Sequence, residues 1–333
     1  MEGENLKKAC IILSVISLAS LAAFGAMAAE NMQLRSAHDD TEIPVTELIT
    51  PETETQAETT PPRQPEHTCP APETVYIYDN GIDLIEFPPV EGAALNSYDM
   101  ENLSTYEGKR KALFDEKGVK ISRFGIDVSS YQTAIDWEKA AADGVEFAII
   151  RMGYRGYETG KITEDRYFRR NAEGANAAGV DIGVYFYSQA ITPEEAAEEA
   201  DYVINLLSET DVPVTMPVVF DWEFVTDEDP ARTDGMTGDI QTECCKAFCE
   251  RIAAAGYSPM YYATINTALF RYDMGELPYP LWIAEYAPKC GFVYDYAMWQ
   301  YSCSGVVDGI EGLVDLNICI EYPTVTQTQK TSE

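Results

Sequence analysis

Histidine is nearly absent from this 333-residue chain: only His38 and His67 occur, and both lie in a Pro/Thr/Glu-rich stretch that lacks the apolar residues needed to fold. A Ser-His-Asp or Cys-His hydrolase needs an imidazole beside its nucleophile, and most catalytic zinc sites use at least one as a ligand. The foldable part of the chain therefore offers carboxylates, tyrosines and thiols, but no imidazole. Basic residues are also scarce, 23 Lys and Arg against 56 Asp and Glu, for a net charge of −33. Nucleic-acid binding is driven by clustered Lys and Arg, so no nucleic-acid partner is expected. Cysteines are few and show no metal-binding pattern. Of the eight, Cys10 falls in an N-terminal apolar segment; Cys69, Cys244, Cys245, Cys249, Cys290, Cys303 and Cys319 make an odd number with no CxxC pair. Cys245 and Cys249, four apart on a predicted helix, read as buried small hydrophobes. Cys290 and Cys303 can pair only if their strands are neighbours.

The chain is ordered by composition. Lys7-Lys8 precede an apolar run from Ala9 to Ala29 that ends in the small-x-small site Ala26-Met27-Ala28. Residues 1–29 read as a secretory signal or, uncleaved, as an N-terminal membrane anchor spanning through residues 9–29. Either way the remainder is exported, to an extracellular or cell-surface location. Residues 30–72 turn to Thr, Glu, Pro and Gln, too polar to offset their ordering entropy, and read as a disordered, extended linker. Residues 73–120 read as a short leader packed on the main domain, with a strand at Thr74–Tyr78 and a turn at Asp79-Asn80-Gly81. The main domain is expected over 121–323, followed by a flexible tail, 324–333.

From Ile121 onward, apolar runs alternate with helical patterns, the signature of parallel strands joined by crossover helices. Strands are predicted at Phe124–Val128, Glu146–Met152, Asp181–Ser188, Val218–Phe224, Pro259–Ala263, Leu281–Glu285, Ala297–Tyr301 and Leu313–Ile318. Helices are predicted at Ala134–Ala142, Asp165–Ala178, Pro193–Leu207 and Ile240–Ala255, with Thr192 and Glu195 forming a capping box around Pro193. After Pro259–Ala263 there is room for one short helix near Asn266–Tyr272. This spacing describes an α/β barrel of the TIM type whose later crossovers have been trimmed.

Asp221 and Glu223 stand one residue apart in the run Val218–Phe224. Alternation along a strand aims both side chains the same way, with Cβ atoms roughly 6–7 Å apart. Burying an ionised carboxylate is costly unless it is paired, protonated or put to use. Two adjacent acids that divide into a proton donor and an anion are what glycosidic bond cleavage requires. In parallel barrels such residues lie at the C-terminal ends of strands. Asp127 on the first strand and Asp315 in the eighth are expected to join the pair at one mouth. Aromatic faces stack on pyranose rings; Tyr185 and Tyr187 on the third strand, with Tyr262, Trp282 and Trp299 on later ones, are candidates for sugar contact. Arg151, inside Ala148-Ile149-Ile150-Arg151-Met152, needs a buried anionic or carbonyl partner and is expected to orient one of the acids or contact a substrate carbonyl.

Taken in order, Gly125-Ile126-Asp127-Val128-Ser129-Ser130-Tyr131-Gln132, Ile150-Arg151-Met152-Gly153-Tyr154-Arg155-Gly156, Gly183-Val184-Tyr185-Phe186-Tyr187-Ser188-Gln189-Ala190, Phe220-Asp221-Trp222-Glu223, Leu281-Trp282-Ile283-Ala284-Glu285-Tyr286, Trp299-Gln300-Tyr301 and Val314-Asp315-Leu316-Asn317 resemble glycoside hydrolase family 25, the Chalaropsis-type lysozymes. The resemblance runs from about Arg123 to Tyr322. It implies a modified TIM-like (β/α)5(β)3 barrel and cleavage of the β-1,4 bond between N-acetylmuramic acid and N-acetylglucosamine in peptidoglycan glycan strands, without metal or organic cofactor. By that similarity Glu223 matches the general acid, Asp221 the acid beside it, and Asp127 and Asp315 the two remaining site carboxylates. The Asp-x-Glu spacing is similar to that of substrate-assisted chitinases, which points to participation of the substrate's 2-acetamido group. A monomer is expected. Two other readings fit the same barrel: a non-catalytic wall-glycan binding or adhesion module, and a chitinase-like carbohydrase.

Overall fold

In a computed structural model the described residues are 74–79, 83–106, 109–225 and 231–320. The expected signal or anchor, the linker, the Asp79-Asn80-Gly81 turn from Asn80 onward and the tail lie outside them. No helix among the described residues is long and apolar enough to cross a membrane.

The leader forms two antiparallel hairpins, β1 (Val75–Asp79) with β2 (Asp83–Phe87), and β3 (Leu103–Tyr106) with β4 (Arg110–Leu113). Then come β5 (Arg123–Val128), α1 (Trp137–Ala142), β6 (Phe147–Arg155), β7 (Ile162–Glu164), α2 (Phe168–Ala177), β8 (Asp181–Ser188), α3 (Pro193–Ser208), β9 (Val218–Trp222), α4 (Gly238–Ala254), β10 (Pro259–Thr264), α5 (Ile265–Phe270), β11 (Leu281–Ala284), β12 (Met298–Gly305) and β13 (Val314–Cys319). One sheet has the order β5-β13-β12-β11-β10-β9-β8-β6-β7, and β5 also pairs with β6. That pairing closes eight strands into a barrel and leaves β7 as an antiparallel extension of β6, an element with no counterpart among the predicted strands.

The expectation of parallel strands fails at the last one. β13 runs antiparallel to both β12 and β5. Only residues 306–313 separate it from β12, and a parallel return needs a dozen or more. The late strands thus close the ring without helices outside them.

Strand alternation divides the interior into two apolar layers. Inside the ring, Phe147, Ile149, Met216, Val219, Met260, Tyr262, Trp282 and Met298 form one cluster. On the outer face of the ring, under the helices and the leader, Ile126, Ile150, Val184, Phe220, Ile283, Trp299 and Ile318 belong to a larger one. Gly125 is required by this packing, because a Cβ there would stand 2.4 Å from the Phe147 ring. Cys244, Cys245 and Cys249 lie fully buried on α4 in the outer cluster, as small hydrophobes. Cys290 is a free thiol, so the Cys290–Cys303 disulfide is not formed.

α3 starts where its cap residues dictate. Thr192 Oγ1 accepts from the Glu195 backbone N–H at 3.3 Å, and Pro193 occupies the first turn, where no donor is needed. The Glu195 carboxylate accepts from Ile191 rather than from Thr192, so the expected box is closed one residue earlier.

The leader packs against the side of the ring that lacks helices. Asn96 donates to the carbonyl oxygens of Phe292 and Tyr294, and the Tyr98 hydroxyl donates to the Tyr296 carbonyl. Lys111 Nζ donates to the carbonyls of Ala287 and Pro288 at 2.7 and 2.8 Å and sits 4.5 Å from the centre of the Trp299 ring. Arg110 lies over Phe124 at 4.9 Å.

Candidate active site

The residues at the rim of the ring follow from register. Asp221 on β9 has Tyr187 of β8 beside it on one strand and Tyr262 of β10 on the other. Asp127, near the end of β5, is the cross-strand partner of Asp315 on β13. Because β13 is antiparallel, Asp315 reaches this rim from the beginning of its strand. β9 ends at Trp222, earlier than predicted, so Glu223 sits just past the strand and is half-buried, while Phe224 beyond it is exposed.

Two phenols near this rim feel the charge of the acids. Burial raises the Tyr262 hydroxyl well above the ordinary tyrosine range, and the charges of Glu223, Asp221 and Asp127 add to the effect. Burial likewise raises Tyr286, reinforced by Asp315, Glu223 and Asp127. The Tyr286 residue is 41% exposed, yet its hydroxyl turns inwards and donates to Gln300 Oε1 at 2.8 Å. Tyr262 donates to the same oxygen at 3.1 Å.

Asp127 is held from beneath. Its Oδ2 accepts from Gln300 Nε2 at 2.9 Å and from Asn317 Nδ2 at 2.8 Å. Asn317 Oδ1 in turn accepts from Trp282 Nε1 at 2.9 Å. Gln300 and Asn317 are directly paired on β12 and β13, which is why both amides reach one carboxylate. Such donors offset the cost of burying charge.

The predicted contact residues separate into those at the rim and those away from it. Tyr185 and Tyr187 face the interior and are half-buried. Tyr262 and Trp282 also face inwards but are buried, in edge-on contact at 5.0 Å. Trp299 points the other way. It is fully buried in the outer layer, and its Nε1 donates to the Glu285 carbonyl at 2.8 Å, so it does not line the mouth. Arg151 takes Asp165 as ion-pair partner, Nε to Oδ2 at 2.8 Å, with a further bond from Nη2 to Ser130 Oγ at 2.9 Å. Asp165 is outside the set of four acids expected for it. The guanidinium also lies 5.4 Å from the ring centres of Tyr131 and Tyr154.

Sequence reasoning missed Tyr286, Gln300, Asn317 and Asp165 as parts of this constellation. The first three lie inside the motif runs and were available there; Asp165 reads in the sequence as the first residue of a helix, whereas the helix begins at Phe168 and Asp165 stands in the loop before it. It also missed Gln189, fully buried beyond β8, whose Nε2 donates to the Glu223 carbonyl at 3.0 Å and whose Oε1 accepts from Thr233. Among the described residues no group of three or more His, Cys, Asp or Glu is arranged to hold a metal ion.

The profile of the family described as glycosyl hydrolases family 25 matches residues 126–310, more than half of the chain. The autolytic lysozyme of Clostridium acetobutylicum is 28% identical over 194 residues, covering 58% of this chain and 54% of that protein. Lysozyme M1 of Streptomyces globisporus is 26% identical over 211 residues, covering 61% and 68%. Among solved structures, the modular autolysin LytC of Streptococcus pneumoniae, in complex with a synthetic peptidoglycan ligand, superposes with a TM-score of 0.53 at 23% identity, covering 74% of this chain and 56% of that one; it shares the fold. This chain thus spans little more than half the length of the autolytic lysozyme and of LytC. With the barrel, the acids at its rim and the matched profile in agreement, the chain belongs to glycosyl hydrolase family 25.

Proposed function

We propose that this chain is an exported muramidase that cleaves the β-1,4 bond between N-acetylmuramic acid and N-acetylglucosamine in peptidoglycan glycan strands. The observation that carries this reading is the register of the ring, in which Asp127 pairs with Asp315 across β5 and β13 while Asp221, between Tyr187 and Tyr262, leads into Glu223 at the end of β9. Relatives described as an autolytic lysozyme and a lysozyme support the substrate class.

Glu223, half-buried and at the strand end, is placed to meet a glycan and give its proton to the leaving glycosidic oxygen. Asp221, buried between Tyr187 and Tyr262, orients the substrate's 2-acetamido group. Its carbonyl oxygen attacks the anomeric carbon as the C–O bond to the leaving sugar breaks; water then opens the resulting ring and returns the proton to Glu223. Asp127 and Asp315 supply negative potential near the developing oxocarbenium charge. Tyr185 and Tyr187 present ring faces to the sugars. The protein acts as a monomer outside the cell, with residues 1–29 removed or retained as a tether.

Digestion of purified peptidoglycan, reduction of the products and mass spectrometry of the new ends test this, with Glu223→Gln in parallel. Reduced muramic acid from the unmodified protein alone is expected. Reduced glucosamine ends, or equal cleavage by the variant, would overturn it; binding without cleavage by either form would identify a wall-binding module.

A further inference from the structure

Trp282 is 2% exposed and meets Tyr262 edge-on, so neither face is open to a pyranose ring. What it offers the site is its N–H. An indole nitrogen is a donor only, and its partner is Asn317 Oδ1 at 2.9 Å. That leaves the Asn317 amide no choice of orientation: Nδ2 must point to Asp127 Oδ2, at 2.8 Å. On the other flank the hydroxyls of Tyr262 and Tyr286 converge on Gln300 Oε1, which turns Gln300 Nε2 to the same Oδ2 at 2.9 Å. An oxygen that receives two N–H donors has no room for a proton of its own.

We propose that Trp282 is a positioning residue which, through Asn317, fixes Asp127 as the standing anion of the site. The inference rests on reading this rim as a glycan-cleaving centre and divides the labour within it. Asp127 is excluded as proton donor through Oδ2. Its fixed charge resists ionisation of the acids beside it, which keeps the transferable proton on a neighbour. The charged and titratable groups around Asp127 are Asp315 on β13, Tyr262 on β10 and Tyr286 after β11, with Asp221 and Glu223, on and after β9, facing the same phenols. Among the amides and the indole, Trp282 is the member whose hydrogen-bonding sense cannot be reversed, so the orientation of the rest starts from it.

Trp282→Phe keeps an aromatic ring and deletes only the N–H. Expected are a kcat about tenfold lower, a KM within about twofold, and an acid limb of the pH–rate profile moved to higher pH, since the Asn317 amide is then free to turn its oxygen toward Asp127. In an Asn317→Ser background the same change should add nothing, because the effect passes through Asn317. A raised KM with unchanged kcat and pH profile, or additive losses in the double variant, would overturn the proposal in favour of direct sugar contact. The unmodified protein gives a second readout that needs no turnover. With ¹³C-labelled aspartate, the Asp127 carboxyl signal should remain that of the ionised form throughout the working pH range, and a protonated signal at neutral pH would refute the assignment. Failure to cleave peptidoglycan would sink the proposed function while leaving this carboxyl measurement intact.

Discussion

The side-chain amide of Gln189 donates to the main-chain carbonyl of Glu223 at 3.0 Å. The same Nε2 reaches the Ser188 carbonyl at 2.9 Å, and Oε1 accepts from Thr233 at 3.2 Å. One buried side chain thereby ties the end of β8 to both arms of the segment that begins with the proposed acid. Replacing it with Met, similar in length but without polar atoms, leaves two carbonyls and a hydroxyl unsatisfied, at a cost of about 1–3 kcal/mol each at most. Gln189→Met is expected to cut kcat by about tenfold or more, because Glu223 loses its anchor. Steady-state kinetics on soluble glycan fragments check this; unaltered kcat would show that the strand end holds Glu223 unaided.

Arg151 and Asp165 form an ion pair in which both side chains are almost entirely buried. Removing one partner strands a charge, so Arg151→Met or Asp165→Leu alone should lose about 3–5 kcal/mol of stability. The double variant should recover much of that loss. Denaturant midpoints of the four proteins decide the matter; additive losses would count against the pairing as the dominant interaction.

Glu285 is buried, which pushes its carboxyl up to about 7, against hydrogen bonds from Gly291 and Cys290 that favour the ion. The sign follows from which state holds the proton. Between the ordinary glutamate value near 4.5 and about 7 the folded protein binds the proton more tightly than the unfolded chain. The contribution of Glu285 to stability is therefore full below pH of about 4.5 and is lost as pH rises to about 7, by roughly 3 kcal/mol at most. Glu285→Gln should flatten this part of the stability–pH curve, measured by denaturant unfolding between pH 4.5 and 8. An unchanged slope would mean that the carboxyl ionises freely in the fold.

If Asp221 serves the substrate's acetamido group, a glycan with a plain hydroxyl at that carbon should be cleaved at least about a hundredfold more slowly. Turnover at the normal rate would require a protein nucleophile instead.

A chain beginning at residue 121 would lack the leader that lays Arg110 over Phe124 and Lys111 over Trp299. It should bind hydrophobic dyes and unfold without a sharp transition. Cooperative unfolding at an undisturbed midpoint would show the leader to be dispensable.

Asp221 and Glu223 could be found in the sequence because polar side chains at i and i+2 interrupt an otherwise apolar strand, and Asp127 and Asp315 because they recur near other strand ends. The facing of Trp299 could not. Strands covered on both sides are apolar throughout, so Met298-Trp299-Gln300-Tyr301 carries no clear alternation, and only the register shows that Gln300 looks inwards while Trp299 looks out. The direction of β13 was legible in principle, from the short stretch 306–313, but the barrel analogy favoured a parallel strand. Arg151 announced that it needed an anion; Asp165, fourteen residues on, read as an ordinary acidic residue at a helix start, and nothing local aims it at Arg151.

The seam between β5 and β13 joins the first strand of the ring to the last one made. Asp127 leaves the ribosome early, whereas Asp315 and the Asn317 donor to Asp127 are among the final described residues. A chain clipped before β13 therefore keeps Asp127, Asp221 and Glu223 but loses Asp315, the Asn317 donor to Asp127 and the strand that joins β12 to β5. One six-residue strand thus both closes the ring and completes the set of acids.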